Sequence, residues 1–264
     1  MKNKLFFIAA IIPILLSPFI TMTTLLGLAN SSGKIIGSIS MPLFELPFII
    51  IYIVIIKLIW KFNFGFKLKK KMFPLVVIIP VVVMVILNIF TSKSLNVIFK
   101  ELPSGQTILA AVISLLAALV IGIFEETVFR GILFNYLSFL FRKTNYPLLF
   151  SGLGSSFFFG IVHLSNAIIG GAKLGYTLYQ VLYAIAIGFT FAMLYAKTGS
   201  LIGPIILHAI IDWSDLFFNL AGEPSISGIN WSIIIIIIMF AISGYLLYRT
   251  TQTDSVKNLG FEAK

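Results

Sequence analysis

Long apolar segments alternate with short polar ones along the whole chain. An apolar run of roughly 20 residues can cross the hydrocarbon core of a bilayer as one α-helix. The runs therefore predict an all-α polytopic membrane protein with about eight transmembrane helices. The predicted spans cover residues 5–29, 42–62, 73–92, 107–141, 147–164, 174–196, 200–220 and 229–248.

The fourth run, 107–141, is too long for one straight span. About 35 residues at about 1.5 Å each would reach roughly 50 Å, whereas the hydrocarbon core is about 30 Å thick. We expect this segment to be tilted, broken or partly interfacial. The first run, 5–29, is too long for the apolar region of a signal peptide, so we interpret it as a retained span.

Composition and charge agree with membrane insertion and favour membrane lipid as a binding partner. Hydrophobic residues make up 59% of the 264, and only 11% are charged. The net charge is +10, but the basic residues lie mostly at span ends, which favours contact with anionic membrane lipid over nucleic acid. Fourteen of the 19 lysines and arginines fall on one side of the predicted topology and four on the other. The excess of positive charge inside predicts that both termini are cytoplasmic.

The chain lacks cysteine, which excludes disulfides, thiolate nucleophiles and cysteine metal sites.

Several polar residues interrupt the apolar segments. A charge at the bilayer centre costs about 2.5 to 3.5 kcal/mol, so ionisable residues within spans indicate function. Five of the nine acidic residues and both histidines lie in or beside apolar runs: Glu45, Glu125, Glu126, Asp212, Asp215, His163 and His208.

The sequence "EETVFR" places two carboxylates and an arginine within the fourth run. Glu126 and Arg130 are four residues apart and share a helix face, so an ion pair between them would offset the cost of burying either. Glu125 is rotated about 100° from Glu126. One carboxylate is thus expected to be structural and the other free to act; a packing network of all three is the alternative.

The sequence "GLGSSFFFGIVH" ends on a histidine. Phe159 and His163 are four residues apart. Gly152, Ser156 and Gly160 form a small-residue stripe, which predicts close packing of another helix. Taken alone, His163 is equally well explained as a buried histidine bonded to a backbone carbonyl.

The sequence "GSLIGPIILHAIIDWSD" places His208, Asp212 and Asp215 on one helix face. An aspartate one turn from a histidine can accept its ring N–H and set the tautomer. We place Asp215 near the outer end of the span, although membership of the site is the alternative. Polar groups on separate spans are most simply explained by one shared pocket inside the membrane.

These motifs resemble, in the same order, those of a known family. "EETVFRG", "FGIVH" and "GSLIGPIILHAIID" are similar to the glutamate-rich, Phe-x-x-x-His and His-x-x-x-Asn/Asp motifs of the CPBP family. That family, also called Abi, groups CAAX prenyl endopeptidases with bacteriocin-processing proteins. The resemblance covers about residues 120 to 215 and implies an intramembrane endopeptidase. The sequence shows no internal repeat and no linker, which predicts a single membrane domain, 1–264, with three spans in 1–100 and a last span at 229–248. The resemblance implies a CPBP-like catalytic core in 105–220.

The resemblance also implies roles for the motif residues. Glu125 corresponds to the general base that activates a water, with His163 as its partner on that water. His208 and Asp212 correspond to the groups that stabilise the oxyanion. Where CAAX endopeptidases more often have Asn, an ionised Asp212 could not donate a hydrogen bond, so it is either protonated or orients His208. The supporting motif members are Glu126, Arg130 and Phe159.

A glutamate-activated water without a bound metal is favoured over a zinc site. Glu125, His163 and His208 could hold zinc, and the family is often described as metallopeptidases. However, the chain lacks an H-E-x-x-H motif. A second base would also be needed if Glu125 were a ligand.

The expected substrate is a membrane-associated peptide or protein. The short loops indicate a multi-pass protein of a bacterial cell membrane, where a leader-bearing peptide such as a bacteriocin or pheromone precursor is a better substrate than a prenylated protein. The alternatives to a peptidase are a transporter, since intramembrane Glu, His and Asp also form proton relays, and an immunity-type binding protein without catalysis.

Overall fold

The computed structural model describes residues 46–60, 64–91, 104–168, 171–218 and 231–252. Every regular element in these ranges is helical, which confirms the all-α prediction. The chain order is α1 (Leu46–Trp60), α2 (Leu75–Thr91), α3 (Ser104–Glu126), a π-helical segment (Thr127–Phe134), α4 (Asn135–Leu140), α5 (Pro147–Val162), α6 (Ser165–Ile168), α7 (Leu174–Thr198), α8 (Ile202–Phe218) and α9 (Trp231–Gln252).

The helices lie where the apolar runs predicted spans, as far as the described residues extend. The predicted span 5–29 lies outside the described residues, so the number of eight stays a prediction. Among the described residues, four helical stretches are long and apolar enough to cross a membrane: Thr107–Leu140, Pro147–Ile168, Leu174–Thr198 and Trp231–Gln252.

The long fourth run is one continuous helical stretch with a change of winding inside it. The α-helix α3 passes directly into the π segment, Thr127–Phe134, and then into α4. A π-helix bonds i to i+5, and such short insertions occur often at functional sites. The run is therefore not broken, and its irregular part begins directly after the two glutamates.

Helix α7 lies at the centre of the bundle and is the most buried of the long spans. It packs between α5 and α9, while α8 packs against α3 and α2. The small-residue stripe of α5 faces α7: a Cβ at Gly152 would lie 2.5 Å from Met193, and one at Gly160 would lie 2.5 Å from Ile185. The predicted close helix packing at the stripe is confirmed.

Candidate active site

The expected ion pair joins the end of α3 to the π segment. Arg130 Nη1 donates to Glu126 Oε1 at 2.8 Å, and both side chains are fully buried. Because a buried charge is costly without a partner, each of the two groups makes the burial of the other tolerable.

Glu126 also holds His208 of α8. His208 Nδ1 lies 2.7 Å from Glu126 Oε1, the same oxygen that accepts from Arg130. A carboxylate flanked by an arginine acts as the acceptor, so Nδ1 carries the hydrogen and donates it. Asp212 was predicted as a possible acceptor of a ring N–H of His208. The structure places Asp212 beside Nε2, whereas Glu126 makes the shorter contact, at Nδ1.

The other ring nitrogen of His208 faces two carboxyl groups. Nε2 lies 3.3 Å from Glu125 Oε2 and 3.4 Å from Asp212 Oδ2. Glu125 and Asp212 are about three-quarters buried, whereas His208 is almost wholly buried. Two carboxyl groups beside one nitrogen require a proton between them, either on the ring or on an oxygen.

Phe159 connects the second histidine to this cluster. Its ring centroid lies 5.0 Å from that of His163 and 5.8 Å from that of His208, both in edge-to-face geometry. The Arg130 guanidinium lies over the same ring at 4.4 Å. Phe159 therefore contacts residues of α5, α8 and the π segment at once, and it sets the spacing between the two histidines.

His163 closes the last turn of α5. Its Nδ1 lies 2.9 Å from the carbonyl oxygen of Phe159, the kind of backbone partner that its sequence position allowed. If Nδ1 donates this bond, Nε2 is the ring nitrogen that can meet a substrate or water. His163 is close enough to Asp212 and His208 to interact electrostatically with both.

Asp215 differs from the other acidic residues of the region. It is exposed on α8, one turn beyond Asp212. It lies near enough to Asp212 and Tyr183 for electrostatic interaction. Its position beyond the buried cluster agrees with the interpretation of a residue near the outer end of the span.

Two glycines outside the three motifs, Gly122 and Gly188, allow the helices to approach closely at the site. A Cβ at Gly122 would lie 3.0 Å from the carbonyl oxygen of Ile205, so α3 and α8 approach closely one turn before Glu126. A Cβ at Gly188 of α7 would lie 3.0 Å from Arg130 Nη2. Gly122 lies four residues before Glu126 on the same helix face, so the sequence could have indicated its role. Gly188 lies in no motif, so nothing in the sequence indicated its role.

Buried polar atoms without a hydrogen-bond partner concentrate beside the site. Within the described ranges, all five such side-chain atoms belong to residues between 126 and 135: Glu126 Oε2, Thr127 Oγ1, Arg130 Nε and Nη2, and Asn135 Oδ1. Buried polar groups are normally paired, so a cluster of exceptions indicates a functional region rather than a packing core.

The choice between a metal-free site and a zinc site stays a prediction. His208 bonds Glu126 and His163 bonds a backbone carbonyl, both through Nδ1. Metal-binding histidines commonly bond a carboxylate or a carbonyl through the nitrogen that does not hold the metal, so these contacts are compatible with a zinc site as well as with a metal-free one. In the part of the chain that the structure describes, no group of three His, Asp or Glu side chains is arranged to hold one metal ion.

The fold and this cluster define a class: an α-helical membrane protein with a buried carboxylate and histidine site shared by separate helices. Residues 107–214 match the model of the family described as "Type II CAAX prenyl endopeptidase Rce1-like". This range contains all three motifs and ends just after Asp212. Over this segment the chain is similar to the family that the motifs indicated.

Part of the chain is also similar to a named bacterial protein. The chain is 36% identical over 118 residues to a protein of Bacillus subtilis (strain 168) named "Putative membrane peptidase YdiL". The match covers 43% of this chain and 41% of that protein's length, so the two are similar over less than half of either. No solved structure matches the chain significantly.

Proposed function

We propose that this chain is an intramembrane endopeptidase that hydrolyses a peptide bond of a membrane-associated substrate by means of a glutamate-activated water. The observation that carries the proposal is the position of His208, held by Glu126 at 2.7 Å on one nitrogen and facing Glu125 at 3.3 Å with the other. An oriented imidazole beside a carboxylate is what water activation and oxyanion stabilisation both require.

The charges of the cluster suggest where one proton lies. With Arg130 and His208 as cations, the three carboxylates Glu125, Glu126 and Asp212 would leave one excess negative charge in an apolar bundle. An uncompensated charge is costly there, so one further proton on a carboxyl group is favoured. We infer that Asp212 holds it, because a protonated carboxyl group can donate a hydrogen bond as an asparagine amide does.

In the proposed reaction, Glu125 accepts a proton from a water whose other hydrogen is bonded to His163 Nε2. The resulting hydroxide attacks the carbonyl carbon, and the oxyanion accepts hydrogen bonds from His208 Nε2–H and the Asp212 hydroxyl. Glu125 then returns its proton to the leaving amine as the C–N bond breaks, so protons balance over the cycle. A single oxyanion donor is typically worth about 10² to 10³ in rate.

The supporting residues keep these groups in place. Glu126 sets the His208 tautomer, Arg130 holds Glu126, and Phe159 separates the histidines, as the contacts described above allow. The proposed setting is a bacterial cell membrane with both termini in the cytoplasm. The proposed substrate is a leader-bearing peptide, such as a bacteriocin or pheromone precursor, or another membrane-associated peptide.

The test is peptide cleavage by purified protein in lipid or detergent. Wild type, Glu125→Ala and His163→Ala are compared with and without a strong chelator. The matched control is Asp215→Asn, which changes an exposed acidic residue one turn from the cluster. We expect cleavage in wild type and the control, loss in the two alanine variants, and no effect of the chelator.

Other outcomes would favour the alternatives. Loss of cleavage with the chelator, restored by zinc, would assign Glu125, His163 and His208 to a metal site. Cleavage that persists in Glu125→Ala would refute the proposed base. Absence of cleavage by every version across a broad peptide library would favour a transporter or an immunity-type binding protein.

A further inference from the structure

The connection between α1 and α2 carries the densest positive charge of the described chain. In segment 64–73, the side chains of Lys67, Lys69, Lys70 and Lys71 are all exposed. The segment contains no acidic residue, so these charges are not neutralised within it. Four exposed ammonium groups at the end of a membrane helix form a site suited to anions.

Apolar side chains are interleaved with these lysines. Phe66 is 42% exposed, Leu68 is 78% exposed and Phe73 is 40% exposed. Exposed aromatic and aliphatic groups among lysines are typical of a segment at the boundary between headgroups and acyl chains. The combination fits a lipid surface better than a soluble anion, which would leave the apolar groups in water.

The same segment is bonded to the start of α8. The carbonyl oxygen of Gly65 accepts from the Leu201 backbone N–H at 3.1 Å. The carbonyl oxygen of Lys67 accepts from the Ser200 hydroxyl at 2.6 Å. Both donors directly precede α8, the helix that carries His208 and Asp212, so the position of the segment and that of α8 are linked.

The segment also contacts the π segment. Phe64 is buried, and a Cβ at Gly131 would lie 3.0 Å from its ring and 3.3 Å from Leu201. Gly131 follows Arg130, the ion-pair partner of Glu126. The basic segment therefore packs against both elements that converge at the candidate active site.

Two further cations lie at the same end of the bundle. Lys197, at the end of α7, donates from Nζ to Thr250 Oγ1 of α9 at 2.7 Å. Arg249, which precedes Thr250 in α9, is exposed. The four described acidic residues all lie in α3 or α8, away from this end. We define the basic face as Lys67, Lys69, Lys70, Lys71, Lys197 and Arg249.

We propose that the basic face binds the phosphate headgroups of anionic lipids, and that this binding increases activity by holding the 64–73 segment against α8 and the π segment. The second half of the proposal rests on the proposed peptidase function, whereas the first does not. Near an anionic surface, each lysine strengthens binding about fivefold.

Lipid retention tests the binding. Delipidated full-length protein is titrated with phosphatidylglycerol or phosphatidylcholine in detergent, and bound lipid is counted by native mass spectrometry. The test variant replaces Lys67, Lys69, Lys70 and Lys71 together by Gln. One control replaces the same four lysines by Arg. A second control replaces Lys173, at the opposite end of the bundle, by Gln. The bonds to α8 use backbone carbonyls of the segment, so these replacements leave them in place.

We expect wild type, the Arg variant and Lys173→Gln to retain phosphatidylglycerol, and the Gln variant to retain at least about fivefold less. Excess inorganic phosphate should not displace the lipid, because phosphate lacks acyl chains. Equal retention by wild type and the Gln variant would overturn the proposal. So would tighter binding of a soluble acidic peptide than of phosphatidylglycerol, which would assign the face to a protein partner.

Activity in reconstituted vesicles tests the coupling. Wild type should cleave several-fold faster in vesicles containing phosphatidylglycerol than in pure phosphatidylcholine. Ser200→Ala, which removes the bond to Lys67, should retain the lipid but lose most of this increase. An equal increase in wild type and Ser200→Ala would overturn the coupling. Normal lipid retention in a protein that cleaves nothing would leave the binding intact and refute the proposed function instead.

Discussion

At the scale of single residues, the cluster depends on one oxygen atom. Glu126 Oε1 accepts from both Arg130 and His208, so one carboxylate neutralises a buried cation and orients the imidazole. Glu125 has no such structural contact with Arg130 among the bonds of the described residues. The adjacent glutamates thus make different contacts, and in the proposed mechanism Glu126 stabilises the buried cations while Glu125 acts on the water.

Replacing Glu126 by Gln should destabilise the protein. The substitution leaves Arg130 as a buried charge without an anion, and breaking a buried pair from one side typically costs about 3 to 5 kcal/mol. Thermal unfolding in detergent should therefore occur at a much lower temperature for Glu126→Gln than for Glu125→Gln.

The control for this prediction is the double variant Glu126→Gln with Arg130→Met, which removes both charges. It should recover part of the lost stability but cleave more slowly than wild type, because a neutral amide oxygen stabilises a cationic His208 less than a carboxylate does. Equal unfolding temperatures for Glu125→Gln and Glu126→Gln would show that the ion pair contributes little.

Gly188→Ala should disturb the arginine from a neighbouring helix. The new Cβ would lie 3.0 Å from Arg130 Nη2 and 3.1 Å from Ser156 Cβ, and overpacking of this kind costs about 1 to 3 kcal/mol. We expect lower activity and lower thermal stability. Gly175→Ala, in the same helix with nothing within 4 Å of its Cβ, is the matched control and should be neutral or slightly stabilising.

At the scale of elements, the π segment decides how the arginine and the glutamates are presented. It is buried along its whole length, and Asn135 at its end donates from Nδ2 toward the carbonyl oxygens of Arg130 and Gly131 and toward the Tyr195 hydroxyl. A wide turn leaves carbonyls without regular i to i+4 partners, so a side-chain donor stabilises it.

Asn135→Ala should therefore weaken the π segment. Loss of the donor leaves buried carbonyls unsatisfied at a cost of about 1 to 3 kcal/mol. We expect reduced stability together with reduced cleavage, because Arg130 moves with the segment. Ser138→Ala is the comparison, since its hydroxyl bonds the carbonyl oxygen of Phe134, at the last residue of the π segment, whereas Asn135 bonds two carbonyls inside the segment and the Tyr195 hydroxyl. It should change both measurements far less. Equal effects of the two substitutions would argue against a specific role for Asn135.

At the scale of the whole molecule, positive charge is concentrated at one end of the described bundle. The basic face lies at one end of the described bundle, and Lys173 begins α7 at the other. The excess of positive charge predicts that the end with the basic face is cytoplasmic.

Reporter fusions in a bacterial host can measure this orientation. Green fluorescent protein fused after residue 264 should fluoresce, because that terminus is predicted to be cytoplasmic. Alkaline phosphatase fused after residue 173 should be active, because that connection is predicted to lie outside. The opposite pattern would place the basic face outside and would also remove the cytoplasmic anionic lipid from its reach.

Much of the architecture was predictable because membrane insertion leaves few choices. Apolar runs must become helices when no water is present to bond the backbone, so the helix positions from α1 to α9 follow from hydropathy. The Glu126 and Arg130 pair followed from i, i+4 spacing, and the packing of α5 on α7 followed from its small-residue stripe.

Contacts between helices were harder to predict from the sequence. Spacing along α8 suggested that Asp212 orients His208, since both lie on one face. The closer acceptor is Glu126, which is 82 residues away along the chain. No rule within one helix indicates which residue of another helix comes nearest, and a π-helical turn changes the face that each residue occupies.

Hydropathy and charge along the chain are enough to predict a helical membrane protein whose acidic residues and histidines are concentrated in a few spans, because both properties act locally. The pairing of these groups becomes visible in the folded bundle alone. Gly122 brings α3 against α8, Phe159 separates the histidines, and the 64–73 segment packs on the start of α8. Each of these depends on distances across the bundle, which are set by the packing of side chains from several helices at once.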